Sequence, residues 1–308
     1  MLRIFLSLLV ALLVQSCATK TPSTDLLVKK HPGLPDSHKL KSVPFIKQEI
    51  NHCGPASLTM VLKAKGLEAD LEEITRQTYT PGSKGSFSID MISAVRRRGL
   101  LGVPIRDLTS LLTEVAAGHP VIVFQNLWFP WMPNWHYAVA VGYDLTGPDL
   151  ILHSGKDKFD EMDMRLFERS WSMTQYWGLL VLSPGEMAAS VDDLGHVSAI
   201  SGLEQTGKFE EALKGYEAVI AKWPTSLPAL IGLGNVHFEK KNFTRSVQYL
   251  LEATKSHVGS SVAWHNLATA QGAAGKIKDA RVSARQALSL AEGSDLEAYK
   301  TSLKAYLP

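Results

Sequence analysis

Cysteine is almost missing from this chain. Its 308 residues contain two, Cys17 and Cys53, in settings so different that a disulfide framework is not expected. Neither an HExxH segment nor a paired CxxC occurs, so no zinc is expected, nor any other metal or cofactor. Net charge is also scarce. The 32 Lys and Arg against 30 Asp and Glu leave +2, which gives no electrostatic case for nucleic acid. Arg96-Arg97-Arg98 fits the negative end of a helix better than a phosphate backbone. The glycines of Tyr79-Thr-Pro-Gly82-Ser-Lys-Gly85-Ser86 are not followed by a phosphate-loop pattern, so they serve turn geometry. The apolar run Ile4 to Val14 has eleven residues, too few to span a bilayer. What remains is ordinary globular composition, with length enough for two domains.

Arg3 followed by that apolar run reads as a secretory signal over residues 1–16. It ends in Leu13-Val14-Gln15-Ser16-Cys17, which resembles the cleavage site of bacterial lipoproteins. The resemblance implies a mature chain beginning at acylated Cys17, with several acyl chains holding it stably to a membrane. Ala18 follows rather than Asp, which resembles the pattern sent to the outer membrane, facing the periplasm. Residues 17–40 read as a lipidated tether, because Pro22, Pro32, Gly33 and Pro35 interrupt any periodicity.

Asn51-His52-Cys53-Gly54-Pro55-Ala56-Ser57-Leu58 carries the chemistry. Leu58, Val61 and Leu62 have helical spacing, Gly66 stops the helix, and Pro55 suits its first position. Cys53 then lies at the positive end of that helix, where a thiolate is favoured. A proton acceptor is available in His136, which opens the alternating strand His136–Val141. An early Cys and a later strand His suit a nucleophile and its base. Gln48, five residues before the thiol, is a side-chain donor for the oxyanion beside the Cys53 N–H.

Val43-Pro-Phe-Ile-Lys-Gln48 with Cys53-Gly-Pro-Ala-Ser-Leu58 and His136-Tyr-Ala-Val-Ala-Val-Gly-Tyr-Asp144 is similar to the bacteriocin-processing, double-glycine-leader peptidases, which are papain-like. The resemblance spans about residues 41–184. It implies Cys53 as nucleophile, His136 as general base and Gln48 as oxyanion donor. In that family an Asp on the next strand orients the His; here the matching position is Ser154. Ser154, His153 or Asp157 is left to hold the ring, and without a carboxylate the imidazolium loses stabilisation.

Residues 41–185 alternate helix and strand signals. Asp70-Leu-Glu-Glu73 opens a helix, and Ile89, Ile92 and Val95 form another after Ser88. Asp107 caps a third through Val115. Strands follow at Val121–Phe124, His136–Val141, Leu150–Leu152 and Trp177–Leu182. The expected fold is an α+β papain-like cysteine peptidase domain. Residues 190–308 instead repeat with a period of 34. Ala212, Ser246 and Ala280 correspond, as do Gly207, Lys241 and Gly275, and Phe209, Phe243 and Ile277. This resembles tetratricopeptide repeats and implies an all-α solenoid of three repeats and a capping helix, with a surface for a protein partner.

The stretch Asn126–Trp135 places Trp128, Trp131 and Trp135 just before His136. They form a substrate wall or pack over the sheet edge, and Gly85 stands on the opposite rim. The leading expectation is a membrane-anchored periplasmic cysteine peptidase acting on a peptide or protein. The alternatives are a weak or inactive peptide-binding scaffold and an amide hydrolase or acyl transferase on cell-wall peptides.

Overall fold

The computed structural model describes residues 21–31 and 33–306; the expected signal segment and Cys17 lie outside them. The helices are α1 Pro22–Lys29, α2 Cys53–Ala64, α3 Leu71–Thr78, α4 Ser88–Arg97, α5 Leu108–Ala116 and α6 Met164–Ser172. After them come α7 Asp193–Glu204, α8 Phe209–Lys222, α9 Leu227–Glu239, α10 Phe243–Ser256, α11 Ser261–Ala273, α12 Ile277–Leu290 and α13 Gly293–Ser302. The strands are β1 Ser37–Lys39, β2 Tyr79–Thr80, β3 Gly85–Ser86, β4 Leu101–Ile105 and β5 Val121–Asn126. The rest are β6 Trp135–Asp144, β7 Asp149–Ser154, β8 Asp157–Asp163 and β9 Gly178–Leu182. Two compact units result. One is the described part of Met1–Ser86 with Ile105–Gly178, the other Phe87–Pro104 with Leu179–Pro308.

In the first unit β5, β6, β7 and β8 form an antiparallel meander around the ten-residue strand β6. β5 pairs with residues 135–140 of β6 and β1 pairs with 142–144, so both share the edge opposite β7. Helix α2 is buried from Gly54 to Leu62 without interruption, more than its amphipathic spacing predicts. It lies among β6, β5, β3 and α3, so no face is left for solvent. Asp70 caps α3 by accepting from the N–H groups of Glu72 and Glu73, and Asp107 caps α5 through Ser110, as expected.

Within the stretch read from sequence as tether, residues 22–29 form α1 and residues 37–39 form β1. Pro22 opens α1, and the carboxylate of buried Glu168 accepts from Ser23 N (3.1 Å), Thr24 N (2.9 Å) and Thr24 Oγ1 (2.7 Å). A distant acid caps this helix, which is why the local sequence does not announce it. β8, Asp-Lys-Phe-Asp-Glu-Met-Asp, is also unexpected. Its side chains are mostly exposed and it pairs on one side only, with β7. A charged edge strand has no hydrophobic alternation to read.

In the second unit β4 lies beside β9, and α4 buries Met91, Ala94 and Val95. Ile89 is exposed, so the expected 89/92/95 face is rotated by about one position. The following helices come in pairs. α7, α9 and α11 begin at 193, 227 and 261, and α8, α10 and α12 at 209, 243 and 277, so the period is 34 throughout. Ala212, Ser246 and Ala280 are buried where helices touch. Gly207, Lys241 and Gly275 all have positive φ, at 74°, 59° and 75°. Glycine fits that left-handed turn, and Lys241 adopts it under strain.

Candidate active site

The Cys53 helix begins two residues, about half a turn, earlier than Pro55 suggests. Cys53 is the first helical residue, His52 precedes it as a cap without a side-chain bond, and Asn51 turns the chain at φ 65°. Backbone N–H groups of Tyr137, Gly54 and Cys53 itself point at the sulfur. Tyr137 is the residue after His136, so the thiol is brought beside the start of β6. Desolvation nevertheless outweighs these donors and pushes the thiol above its ordinary value. The expected preference for thiolate is reversed for that reason.

The same burial acts on His136 in the opposite direction and depresses it to about 4. Both groups are therefore neutral near pH 7. The ring meets Ser154, with Nε2 to Oγ at 2.9 Å. Of the three candidate orienters Ser154 makes the contact. His153 is fully buried and engaged elsewhere: its Nδ1 accepts from Phe159 N (3.2 Å), which leaves Nε2 as donor to the Val43 carbonyl (3.2 Å). Asp157 is exposed and faces Ser154 only through strand register.

Gln48 is placed differently from expectation. The residue is buried, and its amide nitrogen donates to Ser57 Oγ (3.2 Å) and to the Tyr137 carbonyl (3.3 Å). Its Oε1 accepts from Gly155 N (2.9 Å), and its own N–H donates to the Gly155 carbonyl (2.8 Å). A primary amide has two protons, and both are spent. Gln48 thus ties together the helix bearing Cys53, the strand bearing His136 and the turn after Ser154, with no N–H left for an oxyanion.

A residue missed in the sequence is Ser86. It sits on the β2–β3 hairpin after Gly85, and its carbonyl accepts from Tyr137 Oη (3.2 Å). A Cβ at Gly54 would meet Ser86 Oγ at 2.7 Å and its Cβ at 2.8 Å, so the glycine after the thiol is a packing requirement. That contact docks the Gly85 rim on the nucleophile helix. On the other side a cavity of about 480 Å³ opens beside His52, lined by Lys47, Glu49, Leu71, Glu72 and Arg76 among others. Trp128, Trp131 and Trp135 are all more than half exposed; Trp135 stacks on Phe124 of β5 at 5.6 Å, whereas Trp131 stacks on Phe129 within the loop. Among the described residues no group of three or more His, Cys, Asp or Glu is arranged to hold a metal ion.

Residues 40–178 match the model of the Peptidase_C39 like family, just under half of the chain. No curated protein matches. Among solved structures, a putative C39-like peptidase from Bacillus anthracis is 19% identical. It aligns over 48% of this chain and 98% of its own, with a TM-score of 0.43. A double glycine motif protease from an AMS/PCAT transporter, in complex with the leader peptide, is 24% identical over 47% and 94%, at 0.36. The second TPR domain of human RPAP3, in complex with an HSP70 peptide, is 17% identical over 36% and 94%, at 0.33. The chain is thus similar to C39-like cysteine peptidases over residues 40–178 and carries a tetratricopeptide-like helical region after them.

Proposed function

We propose that this chain is a membrane-anchored periplasmic cysteine peptidase, held through acylated Cys17, with Cys53 as nucleophile and His136 as base. The observation that supports it best is the convergence at β6: the Cys53 sulfur meets the Tyr137 N–H while the neighbouring His136 binds Ser154 through Nε2. Nδ1 is then the nitrogen left to take the thiol proton. Because both groups rest neutral, that proton moves as sulfur attacks the peptide carbonyl. The negative oxygen is met by backbone N–H groups at the start of α2, since Gln48 is committed. Collapse breaks the C–N bond, and the amine leaves with the proton from His136. Water, deprotonated by the same ring, then cleaves the thioester and frees Cys53. Trp135 and Gly85 flank the peptide on the two rims, and the repeats bind a protein partner or present substrate.

A peptide-binding scaffold that cuts slowly or not at all is the second reading. The absence of a carboxylate at His136 favours it. The mature chain, given a diverse peptide pool beside Cys53→Ala and His136→Ala, separates the two. Products from the parent chain alone support the peptidase, and products retained in Cys53→Ala reject the assigned nucleophile.

A further inference from the structure

The ten residues Asn126–Trp135 contain no charged side chain, yet six expose large apolar groups. Leu127 is 42% exposed, Trp128 53%, Phe129 54%, Trp131 79%, Met132 51% and Trp135 51%. The loop is held stiffly. Asn126 Oδ1 accepts from the N–H groups of Trp128 (3.1 Å) and Asn134 (2.9 Å), and its Nδ2 donates to the Phe129 carbonyl (3.3 Å). Phe129 and Trp131 stack at 4.9 Å, nearly parallel, and Phe129 bridges Met132. So much fixed, uncharged aromatic surface marks a place of contact.

What covers it follows from where the chain leaves the folded domain. α1 begins on Glu168 of α6, through the N–H groups of Ser23 and Thr24. The base of the loop rests on the same helix: Gln125 Nε2 donates to Ser170 Oγ (2.7 Å), and Asn126 Nδ2 meets Met173 Sδ (3.5 Å). Glu168 and Met173 are separated by about 7.5 Å of helix rise. Thr21 is already buried and three residues separate it from Cys17, a reach of at most about 14 Å over the four Cα–Cα steps. An acyl anchor on Cys17 would thus be tethered, by no more than that reach, to the end of α1 that docks on the same helix as the base of the aromatic loop.

We propose that the loop tip, Trp128 to Met132, inserts into the headgroup–acyl boundary of the bilayer, so that the thiol site works against the membrane surface. Uncharged Trp and Phe suit that boundary, and the lack of basic residues makes the contact indifferent to lipid charge. The choice of a lipid surface rests on the anchored reading above; the following test does not use the anchor.

The unacylated chain from residue 18 retains every described element. It is floated with phosphatidylcholine vesicles, with and without phosphatidylglycerol, and its tryptophan emission is read against lipids brominated on the acyl chains. The expected result is partition on both compositions, unchanged by high salt, with bromine quenching. Trp128→Ala with Trp131→Ala lowers partition at least tenfold, whereas Trp223→Phe leaves it unaltered. Absence of partition or of quenching overturns the proposal, as does unchanged partition in the double variant. Loss of self-association alone would assign the loop to a second copy, and loss of peptide turnover alone would assign it to substrate; either overturns it too. The mass of the chain recovered from cells reports acylation separately, so an unmodified Cys17 with retained vesicle binding would sink the anchor and keep the loop.

Discussion

Replacing Ser154 by Asp tests the electrostatics of the site directly. In the parent chain His136 sits at about 4 because burial disfavours its charged form and its partner is a hydroxyl at 2.9 Å. A carboxylate within contact distance raises such a group by about 1–3 units, each worth about 1.4 kcal/mol. His136 would rise to between about 5 and 7, and the thiolate–imidazolium pair would become about tenfold to a thousandfold more populated. The Asp side chain is one atom longer than Ser, and the turn at Gly155 is fixed by Gln48, so the carboxylate must swing to reach Nε2. The assay is alkylation of Cys53 by iodoacetamide between pH 5 and 9, which needs no substrate. The parent rate should climb with pH past the ordinary thiol range, without an acid plateau. Ser154→Asp should add reactivity near pH 6, and His136→Ala should abolish that gain. A Ser154→Asp profile that overlays the parent refutes the argument that the missing carboxylate keeps the pair neutral.

Gln48→Ala removes buried bonds to Ser57, Tyr137 and Gly155. It should cost about 1–3 kcal/mol in urea unfolding and change the alkylation profile, whereas a pure oxyanion donor would leave that profile untouched. Gly54→Ala places a Cβ 2.7 Å from Ser86 Oγ and should lower stability by about 1–3 kcal/mol, read as a fall in melting temperature. Lys241→Gly, at φ 59°, should raise stability by up to about 1 kcal/mol, because glycine holds the left-handed turn without strain. For His136, the unfolded chain binds more protons than the native one between pH 6.5 and about 4. Stability should therefore fall as pH drops through that window, by at most about 3 kcal/mol before solvent screening. The His136→Ala chain should show a shallower acid slope by equilibrium unfolding.

Whatever rests on local rules could be read along the chain. The 34-residue spacing places every repeat helix from 193 to 290, since each pair uses the same turn and the same small contact residues. Asp70 and Asp107 announce their helices because a cap is a bond between near neighbours. Cys53 before an apolar helix and His136 on an alternating strand were legible as well, although not their charge. That depends on how much of the fold closes over them, and burial here outweighs the helix dipole. Other features arise from contacts made after folding. Glu168 orders α1 from more than a hundred residues away, β8 is a strand solely because β7 offers an edge, and the Gln48 amide donates to Ser57 and Tyr137 while accepting from Gly155, on three separated segments. These are bonds between distant parts of the chain, and no local pattern of residue types encodes the partner that will be there.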